Sequence, residues 1–206
     1  MDKINRLKEI VEAYEKFEEE IESRGINFGQ TDDGGFWLPT RWDHIIPFLE
    51  GYATKKNIIQ PPGPIVDAGS GDCRVSAVLD VYGFNPIINI ELDGRLVDAS
   101  SLVIDDLVKR GIVDGDIRTV NGDFTTSKAY DEARVSFNTI PYFYHGINHG
   151  SMEKLAEKIS KESPEGTKLI IYGMFLKDED KPKIPLQLEC SFRTRDNLSD
   201  FLVYKK

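Results

Sequence analysis

The chain has 206 residues, 40% of them hydrophobic, which is enough for an ordinary core and excludes global disorder. The length suits one domain with an appendage and is short for two. With 35 acids against 26 bases the formal charge is −9, which argues against a polyanionic partner.

No apolar run reaches 18 residues, so no membrane span is expected. Met1 leads directly into a charged segment, and no signal peptide is expected. Two cysteines, Cys73 and Cys190, make no disulfide framework, and a reducing cytoplasm is the default expectation. The acidity is uneven: residues 64–131 hold 12 acids and 6 bases, while residues 132–206 are nearly balanced.

Ile4, Leu7, Val11, Tyr14 and Ile21 recur at three- and four-residue steps, with Ile10 and Phe17 widening the stripe, which predicts an N-terminal helix. Gly25 supplies a stop. The stripe is expected to lie on its own domain; a dimerising coiled coil is the alternative, although Glu18 interrupts the seam. Residues 26–43 read as a loop, 42–51 as a short helix, and Pro61-Pro62-Gly63-Pro64 as a stiff linker that delays the sheet.

Beyond Pro64 the chain alternates. Strands are expected at Ile65–Asp67, Pro86–Glu91, Asp116–Val120, Ala133–Asn138 and Thr167–Tyr172. Helices are expected at Cys73–Tyr82, Leu96–Arg110 and Ser151–Ser160. Short apolar strands alternating with helices predict an α/β fold, a Rossmann-like parallel sheet with helices on both faces. Leu186–Arg193 and Asp200–Tyr204 read as a closing C-terminal antiparallel strand pair. The organisation is thus an N-terminal helix, 1–25, and a Rossmann-like domain, 26–206.

The sharpest motif is Val66-Asp67-Ala68-Gly69-Ser70-Gly71-Asp72-Cys73-Arg74, where the first strand meets a helix. Glycines there permit a tight turn and close approach of a ligand. Arg74 stands where a third dinucleotide-loop glycine belongs, and Asp67 and Asp72 bracket the loop. Carboxylates repel pyrophosphate but suit a ligand carrying ammonium and sulfonium charge, as S-adenosylmethionine does. Glu91 ends the second strand, where an acid accepts ribose hydroxyls. Asp123, in Asn121-Gly122-Asp123-Phe124 after the third strand, suits an adenine amino group beside an aromatic face.

His145 and His149 stand four apart, but Gly146 and Gly150 and the lack of completing ligands argue against a metal site. No P-loop or nucleophile elbow is present.

Asp67-Ala68-Gly69-Ser70-Gly71-Asp72, Ile90-Glu91-Leu92-Asp93, Gly122-Asp123-Phe124 and Phe137-Asn138 together resemble the class I S-adenosylmethionine-dependent methyltransferases. Trp37-Leu38-Pro39-Thr40 and the Gly-Ser-Gly-Asp-x-Arg loop look most similar to the non-SET (Dot-type) lysine methyltransferases and their archaeal relatives. The likeness implies S-adenosylmethionine held by Trp37, Thr40, Asp67, Gly69, Ser70, Gly71, Glu91, Asp123, Phe124 and Asn138. It implies catalysis by Asn138, Tyr142 and Tyr144, with Asn138 orienting an amine and the tyrosines forming an aromatic channel. His145 is a further substrate-loop candidate.

The acceptor is expected to be a protein lysine or a small molecule. A non-catalytic S-adenosylmethionine-binding protein and a nicotinamide-dependent oxidoreductase are the rivals. Two departures from the lysine methyltransferase family stand out: Cys73 replaces a loop glycine, and the aromatics of Asn138–Gly146 are not arranged as in its lysine-channel loop. Thr139-Ile140 also replaces the first proline of the Asn-Pro-Pro-aromatic motif of base amino-methyltransferases, which argues against DNA or RNA as substrate.

Overall fold

A computed structural model describes residues 1–23, 39–53, 57, 59–146, 149–173 and 181–206. Seven strands form one sheet: β1 (Ile65–Ala68), β2 (Ile87–Glu91), β3 (Ile117–Asn121), β4 (Tyr142–Gly146), β5 (Lys168–Gly173), β6 (Gln187–Arg193) and β7 (Asp200–Lys205). Their spatial order is β3-β2-β1-β4-β5-β7-β6. The first five are parallel, and β7 runs antiparallel to both β5 and β6. The expected architecture is therefore present, including the closing antiparallel pair.

β1 and β2 are buried along their whole length, as strands covered on both faces must be. On one face Val66, Ile88, Ile90, Phe143, Leu169 and Ile171 pack with Tyr130 of α5 (Ser127–Glu132) and with Met152, Leu155 and Ile159 of α6 (His149–Glu162). On the other, Ile65, Ile87, Tyr144, Ile170 and Val203 meet α2 (Trp42–Phe48) and α3 (Arg74–Val81). α2 contains Pro47 and continues through residues 49–53 as a π-helical turn, close to the expected 42–51 helix.

The N-terminal helix, α1 (Lys3–Ser23), places Ile10, Tyr14 and Phe17 in a cluster with Ala77 of α3 and Leu96, Val103 and Leu107 of α4 (Gly94–Lys109). Leu7, Ile10, Tyr14 and Phe17 of the stripe are thus buried within the chain, which leaves the homodimer alternative without support. Ile4, at 65% exposure, lies outside that contact.

The fourth strand also needs correction. Ala133–Asn138 is not a strand: Arg134 is left-handed (φ +55°), and Val135 N–H donates to Tyr130 O at 3.0 Å, capping α5. Phe137–Thr139 then form one 3-10 turn. Ala133, Val135 and Phe137 alternate because cap and turn both drop side chains onto the α5–α6 core. The strand lies four residues beyond Asn138, at Tyr142, directly after Pro141, whose missing N–H suits a strand start.

Pairing fixes which residues share the carboxyl edge. Ala68 stands beside Ile90 and His145, Glu91 beside Asn121, and Gly146 beside Tyr172. Because β7 is antiparallel, its first residue Asp200 pairs with Gly173, so the 194–199 turn joins the same carboxyl edge.

Candidate functional site

β1 opens into the glycine loop through Gly69 (φ +74°) and Gly71 (φ +55°), both left-handed. A Cβ on Gly69 would meet the Phe124 ring at 3.5 Å and the His145 ring at 3.6 Å. His145 itself donates from Nδ1 to Ala68 O at 2.5 Å, a tautomer assigned from its carbonyl partner. Gly69 N–H donates to Ile90 O at 2.8 Å. The first turn of the loop is pinned to the strands on either side.

Glu91, buried at the end of β2, accepts from Gly71 N–H at 2.8 Å and from Asp93 N–H at 2.9 Å, one bond to each carboxylate oxygen. Burial raises its pKa, and those backbone donors oppose the rise. Next to it Leu92 is 52% exposed at the rim. Asn121 steadies that turn by donating to Glu91 O and Leu92 O at 3.1 and 2.8 Å. Asp123 is exposed, its Oδ1 accepting from Thr125 N–H at 2.8 Å, and Phe124 lies buried against the His145 ring.

Asp67 faces away from the loop's open side. Its Oδ2 accepts from Ser76 of α3 at 3.1 Å, and Ser76 also bonds Asn89 on the neighbouring strand. At 1% exposure, burial pushes its pKa up to about 7. Asp72 is matched by Arg74, whose Nε donates to it at 2.7 Å. Thus the two acids flanking the glycines do not present a pair of free charges, as the sequence suggested. Asp72 Oδ1 also accepts the Arg74 N–H at 3.2 Å, occupying a donor at the start of α3. Cys73 turns its thiol into the α1–α4 cluster, within 3.4 Å of Ser100 Oγ, and burial pushes its pKa up to about 12.

No family model matches the sequence, and no curated protein matches it. Solved structures do match. A mutant of MtNAS aligns with a TM-score of 0.60 at 15% identity, over 80% of this chain and 61% of its own. This chain therefore spans about three-fifths of MtNAS. The RNA methyltransferase from Salinibacter ruber in complex with S-adenosyl-L-homocysteine aligns at 0.56 and 13% identity, over 82% and 93% of the two chains. The TehB-like SAM-dependent methyltransferase from Corynebacterium glutamicum aligns at 0.53 and 15%, over 95% and 97%. The fold is the Rossmann-like one that these structures share.

The carboxyl edge of this sheet brings together Gly69, Ser70, Gly71, Glu91, Asp123 and Phe124. It does not include Asn138 or Tyr142. Asn138 is exposed in the 3-10 turn before β4, its Oδ1 accepting from Ser136 at 2.7 Å, so it stands at the opposite, amino edge. Tyr142 begins β4 at that same edge, and its hydroxyl accepts from Gln60 N–H at 3.2 Å. Both residues stand there because the fourth strand begins at Tyr142, later than the sequence pattern predicts.

Tyr144 is buried in mid-strand, its hydroxyl 2.9 Å from Thr40 Oγ1, so it fastens the residue 39–41 segment to the sheet rather than lining a channel. Trp37 lies outside the described residues.

Leu92, His44, Tyr172 and Asp196 were not singled out from sequence. Leu92 had a local signal, an apolar residue directly after the strand-end acid. The other three come from distant segments with no shared pattern. Among the described residues no group of three or more His, Cys, Asp or Glu side chains is arranged to hold a metal ion. No helix among them is long and apolar enough to cross a membrane.

Proposed function

We propose that the chain is an S-adenosylmethionine-dependent methyltransferase. The observation that carries this reading is that carboxylates already occupy two backbone donors at the loop: Glu91 takes Gly71 N–H and Asp72 takes Arg74 N–H. A pyrophosphate needs such donors and a locally positive helix start. The same arrangement tolerates a ligand with ammonium and sulfonium charge and no phosphate.

The Glu91 carboxylate keeps lone-pair capacity for a ribose hydroxyl beyond its backbone bonds. Exposed Leu92 and the Phe124 ring offer apolar contact for adenine, and exposed Asp123 an acceptor for its amino group. Bound there, the cofactor supplies a methyl group already activated by the sulfonium. The remaining work of the chain is to align the acceptor and exclude water. Asp67 acts from beneath, holding α3 to β1 and β2 through Ser76.

A lysine amine as acceptor loses its support, because Asn138 and Tyr142, which were to orient and enclose it, stand at the other edge. The test is thermal stabilisation by S-adenosylmethionine, S-adenosylhomocysteine and NAD, followed by calorimetry. S-adenosylhomocysteine is expected to stabilise and NAD not to. Glu91→Ala is expected to weaken S-adenosylhomocysteine at least about tenfold, the scale of one lost charge-assisted hydrogen bond. Stabilisation by NAD alone, or unchanged affinity in Glu91→Ala, overturns the reading.

A further inference from the structure

Three residues far apart in sequence meet at the carboxyl edge. The Tyr172 hydroxyl, at the end of β5, lies 2.7 Å from His44 Nδ1, and His44 Nε2 lies 2.9 Å from Asp196 Oδ2. A carboxylate can only accept, so His44 carries its proton on Nε2 and Nδ1 accepts from the phenol. Asp196 is itself oriented by Thr194 Oγ1 at 2.7 Å and Leu198 N–H at 3.1 Å. The result is a directional chain, phenol to imidazole to carboxylate, with His44 2% exposed and Tyr172 half-buried. A proton-transfer group hydrogen-bonded to a base that a third group orients is the logic of a catalytic triad.

Its position matters as much as its chemistry. Gly146 pairs with Tyr172, one residue above the row in which His145 pairs with Ala68, where the glycine loop begins. Tyr172 therefore stands two strands across from the loop, about 10 Å at ordinary strand spacing. The strand between them ends in Gly146, on the same face as Tyr144 and Tyr172. Among the described residues nothing lies within 4 Å of a Cβ built there. A residue without a side chain thus ends the strand between the glycine loop and a relayed phenol, leaving the space above it open among the described residues.

We propose that a hydroxyl-bearing acceptor sits over Gly146 and that Tyr172 takes its proton, with His44 and Asp196 as positioning residues of the relay. The inference rests on the methyltransferase reading and names the acceptor chemistry. As the acceptor oxygen bonds the methyl carbon, the carbon–sulfur bond breaks and its electron pair stays on sulfur. The acceptor proton passes to Tyr172 Oη while the phenol proton passes to His44 Nδ1. The positive charge lost from the sulfonium reappears as imidazolium beside Asp196, so atoms and charge balance. A neutral amine attacks without surrendering a proton in the same step, whereas a hydroxyl needs this relay.

Among the described residues, the charged and titratable groups around the relay are few. Arg41 lies 3.2 Å from Asp196 and also pairs with Asp43, Tyr144 is tied to Thr40, and Asp200 across the turn is held by Arg193. Ser199 and the Arg41 backbone favour negative charge on Tyr172, against the stronger effect of burial.

The test supplies tritium-methyl-labelled S-adenosylmethionine and a total cell extract to the wild type, Tyr172→Phe, His44→Gln and Gly146→Val. S-adenosylhomocysteine calorimetry runs in parallel. Tyr172→Phe is expected to cut transfer about 100-fold or more, the usual scale of general-base loss, with affinity for S-adenosylhomocysteine kept within twofold. His44→Gln is expected to be slow at pH 7 and to recover only as pH rises beyond about 10, the ordinary phenol value, because burial holds Tyr172 above it. A merely structural His44 would give no such recovery. Gly146→Val, which fills the open space, is expected to lose transfer but keep S-adenosylhomocysteine binding. The label is expected in alkali-stable methyl ethers.

Failure of the wild type to bind S-adenosylhomocysteine overturns the methyltransferase reading. Binding accompanied by no transfer, by transfer onto nitrogen, or by full activity in Tyr172→Phe overturns the relay alone.

Discussion

Arg74, at the start of α3, donates from its guanidinium to Glu18 of α1 at 2.6 Å. The same group donates to Asp72 of the glycine loop at 2.5 Å and lies over the rings of Tyr14 and Trp42. One buried cation thereby joins the N-terminal helix, the loop and α2. The apolar stripe of α1 fixes the approach, and Arg74 supplies the polar link through which the helix reaches the carboxyl edge.

Removing the two ends of that link should have unequal effects. Arg74→Met leaves Asp72 buried without its cation, at a cost of about 3–5 kcal/mol. Glu18→Gln removes a carboxylate that is 34% exposed and partly hydrated, at about 1 kcal/mol or less. Urea unfolding of both variants reads the difference; equal losses would mean that Asp72 is adequately solvated without Arg74.

Asp67 gives the fold a specific pH dependence. Its pKa rises from 3.8 to about 7 because burial disfavours the carboxylate, with the Ser76 bond opposing. Between those values the folded chain binds more proton than the unfolded chain, so stability falls as pH rises from about 4 to 7 and levels off above. Asp67→Asn removes that slope, by up to about 1.4 kcal/mol per pH unit for one proton. Asp80, raised to about 6 by burial, acts in the same direction and remains in both proteins. Denaturation curves at pH 5, 6, 7 and 8 test this, and parallel slopes for the two proteins would show that Asp67 titrates normally.

Asn138→Ala and Tyr142→Phe should leave S-adenosylhomocysteine affinity within twofold, since both residues face the amino edge. A large loss in calorimetry would contradict the placement of β4.

That placement marks where the sequence ceased to be legible. Strand periodicity located β1, β2, β3, β5 and the β6–β7 pair because each carries a local apolar signal between turns. The loop glycines and Glu91 were legible for the same reason: strand end, turn and helix start adjoin in the chain. Ala133, Val135 and Phe137 imitate a strand while capping a helix, and aromatic Tyr142–His145 imitate a loop. The inward orientation of Asp67 depends on Ser76 and Asn89, and the meeting of His44, Tyr172 and Asp196 depends on three separate segments. No local pattern encodes such tertiary relationships.

Cys73 occupies the loop position where the resemblance leads one to expect glycine, and its backbone is left-handed at φ 61°, ψ 15°. A non-glycine residue there costs about 1–2 kcal/mol through crowding of its Cβ. The thiol offsets part of that cost by packing among Ile10, Tyr14, Leu96 and Ala99, where it also bonds Ser100. Cys73→Ala keeps the strain and loses the sulfur, so it should be the least stable of the three forms. Cys73→Gly loses the same sulfur and the Cβ but relaxes the backbone, and should exceed the alanine variant by about 1 kcal/mol. Both should bind S-adenosylhomocysteine as the wild type does, because the sulfur faces the helices and not the loop's open side. Thermal unfolding ranks the variants. An alanine form as stable as the glycine form would show that the loop carries no strain at this residue.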